Sequence, residues 1–173
     1  MEKIKSKIRS IPDFPKPGII YRDITTLLKD LEGFRDTINA FIDRYKNKKI
    51  DLVAGIESRG FLLAGAIAYE LETGVVLMRK KGKLPHEKIS QSYKLEYGES
   101  SIEIHKDSIN KGDSVLVVDD LIATGGTLLA GTALVENLGG VVYECAAIID
   151  LPDLGGKRML EDKGYKVFNL VSF

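Results

Sequence analysis

The chain has 173 residues, a length that suits a single domain with a substantial core. Its 25 basic and 25 acidic side chains balance, so no overall field attracts it to nucleic acid or to an anionic membrane. No apolar run reaches the length of a membrane span, and the charged amino-terminal residues are unlike a signal peptide. The single cysteine, Cys145, allows no intrachain disulfide. We therefore expect a cytoplasmic protein that binds neither nucleic acid nor membrane.

Hydrophobic periodicity divides the chain into helices and strands in the order typical of an α/β fold. The predicted helices cover residues 4–11, 27–45, 61–71 and 157–162, and a further helix follows residue 127 and stops at Gly139 and Gly140. The predicted strands cover residues 52–56, 75–78, 93–96, 102–104, 115–118, 141–149 and 166–173. Short connections favour a single doubly wound, mainly parallel sheet over residues 1–173, with helices on both faces.

Two segments depart from this alternation. Pro12, Pro15 and Pro17 impose an extended, irregular course near the amino terminus, which we expect to form a short hood. Residues 81–105 form the second segment, an inserted and flexible hairpin flap whose two strands meet near Gly98. Residues 84–92 within the flap show no regular period.

The stretch 115–127 combines an aliphatic strand, an acidic pair and a loop of small residues. We expect the strand to be buried on both faces and to end at Asp119 and Asp120, because carboxylates are costly in an apolar interior. The loop that follows consists of Ala123, Thr124, Gly125, Gly126 and Thr127. Its glycines, hydroxyls and helix-start N–H groups are suited to a phosphate, whereas the two acids suit hydroxyl groups or a metal on the same ligand. The stretch therefore predicts a site for ribose 5′-phosphate.

A generic βα turn of some other nucleotide-binding fold would also account for this stretch. The sequence contains neither a Walker A pattern nor Gly-x-Gly-x-x-Gly, so the signatures of the P-loop and dinucleotide-binding folds are missing. The stretch resembles the phosphoribosyl pyrophosphate motif of the type I phosphoribosyltransferases, in which an apolar strand ends in two acids and a Thr-Gly-Gly-Thr loop follows. The resemblance implies that Asp119 and Asp120 hold the ribose hydroxyls and that the loop holds the 5′-phosphate.

A second group of polar residues follows the predicted strand 52–56, at the edge where open α/β sheets bind ligands. It consists of Glu57, Ser58, Arg59 and Gly60. Arg59 has a fork geometry that matches phosphate oxygens, although the stretch alone is equally a surface turn with Arg59 in a salt bridge. The resemblance implies a pyrophosphate-binding loop here, in which the family often has a cis peptide that would fall near Glu57 and Ser58.

The basic cluster that follows strand 75–78 contains Arg79, Lys80 and Lys83. By itself it is a candidate for a solvated edge. The resemblance implies that these side chains help to bind pyrophosphate, partly across the interface of a homodimer.

Three further segments are similar to the adenine branch of this family: residues 12–24, residues 79–85, and Tyr-Lys-Leu-Glu-Tyr-Gly at residues 93–98. The resemblance covers nearly the whole chain. It implies an enzyme of purine salvage that transfers ribose 5-phosphate from phosphoribosyl pyrophosphate to adenine, giving AMP and pyrophosphate. Magnesium would be held mainly by substrate oxygens and not directly by the protein. The residues implied to contact the base are Ile20, Tyr21 and Arg22, with the flap residue Glu96 as a catalytic group and Tyr97 sealing the site.

Three other functions are weighed against this one. A phosphoribosyltransferase for xanthine, guanine or orotate is disfavoured by the proline-rich and Leu-Glu-Tyr-Gly stretches. A regulator that binds phosphoribosyl pyrophosphate without turnover would need a nucleic-acid-binding module or a basic face. An inactive scaffold is disfavoured by the intact acidic pair. His86 and His105 are interpreted as unpaired, solvated residues, and Cys145 as a small buried hydrophobe.

Overall fold

A computed structural model describes residues 1–94 and 99–173. The helices are α1 (Glu2–Lys5), α2 (Thr25–Lys29), α3 (Leu31–Tyr45), α4 (Glu57–Glu70), α5 (Gly126–Asn137) and α6 (Gly156–Asp162). The strands are β1 (Arg9–Pro12), β2 (Ile20–Asp23), β3 (Leu52–Ile56), β4 (Gly74–Lys80), β5 (Lys88–Lys94), β6 (Glu99–His105), β7 (Ser114–Ile122), β8 (Val141–Asp150) and β9 (Val167–Ser172). Within the described ranges, every helix is too short or too polar to cross a lipid bilayer.

The main sheet has seven strands in the order β5-β6-β4-β3-β7-β8-β9. The five strands from β4 to β9 in this order run parallel, and the β5–β6 hairpin joins the β4 edge antiparallel. Alternation along β7 explains its aliphatic run, because Leu116 and Val118 pack on the face covered by α1 to α4 while Val115 and Val117 pack on the face covered by α5 and α6. The predicted doubly wound, mainly parallel sheet is confirmed.

The amino-terminal hood differs from the helix predicted over residues 4–11. A short helix, α1, is followed by β1, which pairs antiparallel with β2 to form a separate two-stranded sheet. Ser10 lies opposite Arg22 and Ile11 opposite Tyr21, so the residues of this segment find their partners across the proline-rich turn. The helical prediction was wrong because this pairing lies beyond the reach of local periodicity.

The helix predicted over residues 27–45 is two helices, α2 and α3, separated at Asp30. The backbone of Asp30 is extended, with φ −85° and ψ 116°, and its carboxylate accepts a hydrogen bond of 2.7 Å from the N–H of Gly33. An aspartate in this position is a preferred N-cap, which explains why a new helix begins here.

Two element boundaries near the sheet's carboxyl edge also differ from prediction. Helix α4 begins at Glu57 and not at residue 61, so Glu57 to Gly60 form its first turn, and Glu57 has a φ of +49°. Strand β7 continues through Asp119 and Asp120 to Ile122, so the acids do not end it. Among the described residues the one cis peptide is Phe14–Pro15. The prediction of a cis peptide near Glu57 and Ser58 was therefore wrong.

The flap contains the predicted hairpin, but its strands are longer. β5 starts at Lys88, within the stretch that showed no period, and β6 ends at His105. Glu96, Tyr97 and the predicted turn at Gly98 lie outside the described residues. The histidines are not unpaired, because the ring centroids of His86 and His105 are 6.0 Å apart. Cys145 is buried as expected, and burial raises the pKa of its thiol to about 12.

Candidate functional site

Two adjoining cavities lie at the carboxyl ends of β3 and β7, between the sheet, α4 and α5. The first has a volume of about 230 Å³ and the second about 350 Å³. They share four lining residues: Arg59, Asp119, Asp120 and Thr127. The acidic pair and Arg59 thus separate two compartments of one crevice, at the edge where open α/β sheets bind ligands.

The first compartment is bounded by the loop that connects β7 to α5. Besides the shared residues it is lined by Leu121, Ile122, Ala123, Thr124, Gly125 and Leu128. Because α5 begins at Gly126, the N–H groups of its first turn are free of helical partners and carry the positive end of the helix dipole. This geometry can bind an anionic group such as a phosphate.

The second compartment lies on the other side of the acidic pair. Its remaining lining residues are Ile56, Glu57, Ser58, Lys80 and Tyr93. Tyr93 belongs to the flap strand β5 and Lys80 ends β4, so, with the β3–α4 junction and the acidic pair, four separate segments of chain converge here. With Arg59 and Lys80 in its wall, this compartment also suits an anion.

Asp120 and Arg59 form an ion pair across the crevice. Arg59 Nε lies 2.7 Å from Asp120 Oδ2, and Asp120 is only 6% exposed. Burial opposes the charge of the guanidinium, but Asp120 and the Tyr21 hydroxyl outweigh it and raise the pKa of Arg59. The salt bridge considered for Arg59 from the sequence is therefore present, but its partner is a residue of the acidic pair.

Asp119 differs from its neighbour because no described cation forms a salt bridge with it. Its Oδ1 accepts a hydrogen bond of 2.8 Å from the backbone N–H of Asp120. Burial of the carboxyl, and then the negative charge of Asp120, raise the pKa of Asp119 well above its ordinary value. The pair therefore holds one carboxylate that is charge-neutralised by Arg59 and one that retains affinity for a proton or for hydroxyl groups.

Gly156, which the sequence did not single out, shapes the loop from behind. A Cβ built on Gly156 would lie 2.2 Å from the carbonyl oxygen of Ala123 and 2.5 Å from the nitrogen of Gly125. Its N–H donates to that carbonyl at 3.1 Å. Gly125 itself has φ +80° and a similarly close approach to Gly156, so neither position accommodates a side chain. In the sequence, the Gly155-Gly156 pair at the start of the last helix was the feature that could have indicated this close backbone packing.

Of the remaining residues predicted to bind pyrophosphate, Lys80 lines the crevice, whereas Gly60, Arg79 and Lys83 do not. Gly60 does not line either compartment; a Cβ there would lie 3.0 Å from the carbonyl oxygen of Val118, so its role is close packing of α4 against β7. The Arg79 guanidinium lies 5.8 Å from the Phe61 ring on α4, and Lys83 is exposed in the turn after β4. Alternation along β4 explains why Lys80 lines the crevice and Arg79 does not.

The hood reaches the crevice through Tyr21. Its hydroxyl accepts a hydrogen bond from Arg59 Nη1, and its ring packs edge-on against Phe14 with centroids 5.3 Å apart. The Arg22 side chain points the other way, with its guanidinium 4.1 Å from the ring centroid of Phe173, and Ile20 is exposed. The structure therefore connects Tyr21 to Arg59 and leaves the Arg22 side chain outside the crevice.

The oxygen atoms of the crevice can be matched to the ligands that a magnesium ion prefers. No group of three or more acidic, histidine or cysteine side chains clusters within the described ranges. Magnesium commonly takes one or two carboxylates and completes its octahedron with water and substrate phosphates. The acidic pair beside a compartment suited to phosphate fits magnesium bound in this way.

Fold and site together define an α/β protein with a crevice suited to a phosphorylated, hydroxyl-bearing ligand at the carboxyl edge of its sheet. The sequence model of the phosphoribosyl transferase domain matches residues 25–172. The chain belongs to the adenine phosphoribosyltransferase family, within the type I phosphoribosyltransferases.

Individual relatives cover almost the entire chain. An adenine phosphoribosyltransferase of Methylobacillus flagellatus is 58% identical over 170 residues, covering 98% of this chain and 97% of the relative. The crystal structure of the Thermoanaerobacter pseudethanolicus enzyme superposes with a TM-score of 0.95 at 47% identity, covering 99% of each chain. The Trypanosoma brucei enzyme, in complex with AMP, pyrophosphate and ribose-5-phosphate, has a TM-score of 0.91 at 31% identity, covering 99% of this chain and 78% of that one.

The raised pKa of Asp119 makes a prediction about stability. Above about pH 4, where the unfolded carboxyl ionises, the folded state holds its proton more tightly, so rising pH costs stability until the folded group has ionised. Asp119→Asn should therefore raise the free energy of unfolding, and the gain should grow from pH 4 upward. Urea unfolding at several pH values measures it, with Asp153→Asn, an exposed acid, as control. A gain that does not vary with pH would contradict this account.

Proposed function

We propose that the two compartments bind the two ends of phosphoribosyl pyrophosphate, with Asp119 and Asp120 on the ribose hydroxyls between them. As a member of its family, the chain transfers ribose 5-phosphate from this donor to adenine, giving AMP and pyrophosphate in purine salvage. The observation that carries the proposal is that Arg59 and the acidic pair line both compartments. The Trypanosoma brucei relative supports it, because that enzyme binds AMP, pyrophosphate and ribose-5-phosphate.

The 5′-phosphate occupies the first compartment in this proposal. Ala123, Thr124, Gly125, Gly126 and Thr127 hold it with backbone N–H groups and hydroxyls at the start of α5. This end of the substrate does not react, so its binding energy can fix the sugar while the anomeric carbon moves during the reaction.

Pyrophosphate leaves from the second compartment. The bond between the anomeric carbon and pyrophosphate breaks, its electron pair stays on pyrophosphate, and the sugar becomes oxocarbenium-like. Arg59 and Lys80 stabilise the departing negative charge, with backbone groups of Glu57 and Ser58 close to it, while Gly60 holds α4 against β7. Asp119 and Asp120 hold the hydroxyls and place negative charge beside the cationic sugar. Magnesium, when bound, supplies further positive charge to the pyrophosphate oxygens.

Adenine enters under the hood. Ile20, Tyr21 and Arg22 form the base pocket, in which backbone groups of β2 read the edge of the base. A ring nitrogen of adenine attacks the anomeric carbon, and the flap residue Glu96, which hydrogen-bonds the imidazole part of the base, takes up the proton that this nitrogen loses. Tyr97 seals the site. Because water is the competing nucleophile, closure of the flap (residues 81–105) over the crevice protects the activated sugar from hydrolysis.

A homodimer is a further part of the proposal. Leu62 and Tyr69 lie on one face of α4 and are 56% and 82% exposed, and Val75 and Leu77 on the neighbouring β4 are 43% and 42% exposed. Exposed apolar side chains on these two neighbouring elements favour burial against a second copy. Arg79 and Lys83, which do not line the crevice of their own chain, would then be close to the partner's pyrophosphate.

A cytoplasmic location is proposed with it. The free, buried thiol of Cys145 fits a reducing compartment.

The role of Glu96 makes a prediction about turnover. Glu96→Gln should lower the rate of AMP formation by about a hundredfold, because general acid–base contributions are of that order, and should leave the KM for phosphoribosyl pyrophosphate within twofold. Single-turnover assays with adenine, phosphoribosyl pyrophosphate and magnesium, with AMP separated by chromatography, measure it. Glu87→Gln, which changes an exposed flap carboxylate, is the control. An unchanged chemical rate would refute the catalytic role.

The close packing behind the phosphate loop makes a prediction about substrate affinity. Gly156→Ala should displace the loop and raise the KM for phosphoribosyl pyrophosphate by roughly ten- to a hundredfold, the cost of a displacement near 1 Å. The control is Gly164→Ala, which introduces strain at φ +90° with no atom within 4 Å. That variant should lose thermal stability and keep its KM. Equal KM values in both variants would show that Gly156 matters only for stability.

The apolar face on α4 makes a prediction about assembly. Leu62→Glu combined with Tyr69→Glu should convert the dimer to a monomer, because two charges would be buried at the interface. Light scattering coupled to gel filtration measures the mass. Val141→Glu, at an apolar residue that is 58% exposed on β8, is the control and should leave the mass unchanged. A wild-type protein of one-chain mass would overturn the dimer.

A further inference from the structure

Tyr21 lies in the proposed base pocket. Its hydroxyl contacts Arg59, which lines the pyrophosphate compartment. Tyr21 lies on β2 in the hood, and its partner Arg59 lies in the first turn of α4. The hydrogen bond between Arg59 Nη1 and the Tyr21 hydroxyl joins segments 38 residues apart. A phenylalanine would fill the same space without making this contact.

Arg59 connects the two substrate regions through a single planar group. Its Nε lies 2.7 Å from Asp120 Oδ2, and its Nη1 donates to Tyr21. A guanidinium carries five N–H donors in a rigid fork, so two fixed contacts determine the direction of the others. The donors that remain can serve pyrophosphate oxygens. The side chain of Arg59 is 42% exposed, so without such contacts it would lose more rotamer freedom on binding.

We propose that the Tyr21 hydroxyl is a positioning group for Arg59, so that a residue of the adenine pocket tunes the affinity for the pyrophosphate end of the donor. The inference rests on the proposed role of Arg59 in binding pyrophosphate. The aromatic ring of Tyr21 and its hydroxyl then have separate roles. The ring contributes to the base pocket and packs against Phe14, while the hydroxyl acts through the guanidinium.

The test is Tyr21→Phe, which removes only the hydroxyl. The KM for phosphoribosyl pyrophosphate in the forward reaction, and for pyrophosphate in the reverse reaction with AMP, should each rise about three- to tenfold, the value of one hydrogen bond. The KM for adenine should stay within twofold of wild type. Tyr165→Phe is the matched control, because it removes a hydroxyl bonded to Glu136 at 3.1 Å away from the crevice and should change neither KM.

A second background shows whether the hydroxyl acts through Arg59. In Arg59→Lys the fork is absent, so adding Tyr21→Phe should have no further effect on the KM for phosphoribosyl pyrophosphate. An unchanged value in the single variant Tyr21→Phe, or an equal rise in both backgrounds, would overturn the inference. A rise in the KM for adenine alone would assign the hydroxyl to the base and overturn it too. If Arg59→Ala leaves the KM for phosphoribosyl pyrophosphate unchanged, the proposed role of Arg59 itself fails.

Discussion

The ion pair between Arg59 and Asp120 is the contact on which the geometry of the crevice depends. It joins the first turn of α4 to the carboxyl end of β7 across 2.7 Å, with Asp120 almost fully buried. Removing either partner would leave the other charge poorly compensated, which is more costly than losing an exposed pair. The same guanidinium fixes Tyr21 of the hood, so three separate segments take their relative positions from one side chain.

Close backbone packing is the second constraint on the site. Gly60 lets α4 approach the backbone of β7, and Gly156 lets the start of α6 support the loop before α5. In both places a single methyl group would push apart elements that carry ligand-binding groups. The N–H groups at the start of α5 and α4 therefore owe their positions to glycines that allow close backbone packing.

The adjacent acids Asp119 and Asp120 differ in their ion pairing and in their affinity for a proton. Both side chains line the same two compartments, but Asp120 forms the ion pair with Arg59. Asp119 has no such ion pair among the described residues, and its pKa rises because of burial and the adjacent charge. The charge of one acid is therefore already matched by Arg59, while the other retains its affinity for a proton.

The sequence by itself determined the α/β class, the buried strands β3, β7 and β8, and the acid-plus-glycine stretch, because local periodicity and motif chemistry are properties of neighbouring residues. It did not determine that residues 9–12 form a strand, since their partner β2 lies across a proline-rich turn. Nor did it reveal that Arg59 would pair with Asp120, that Lys80 and not Arg79 would line the crevice, or that Gly156 would support the phosphate loop. Those outcomes depend on distances between residues far apart in the chain, which only the packing of helices against the sheet fixes.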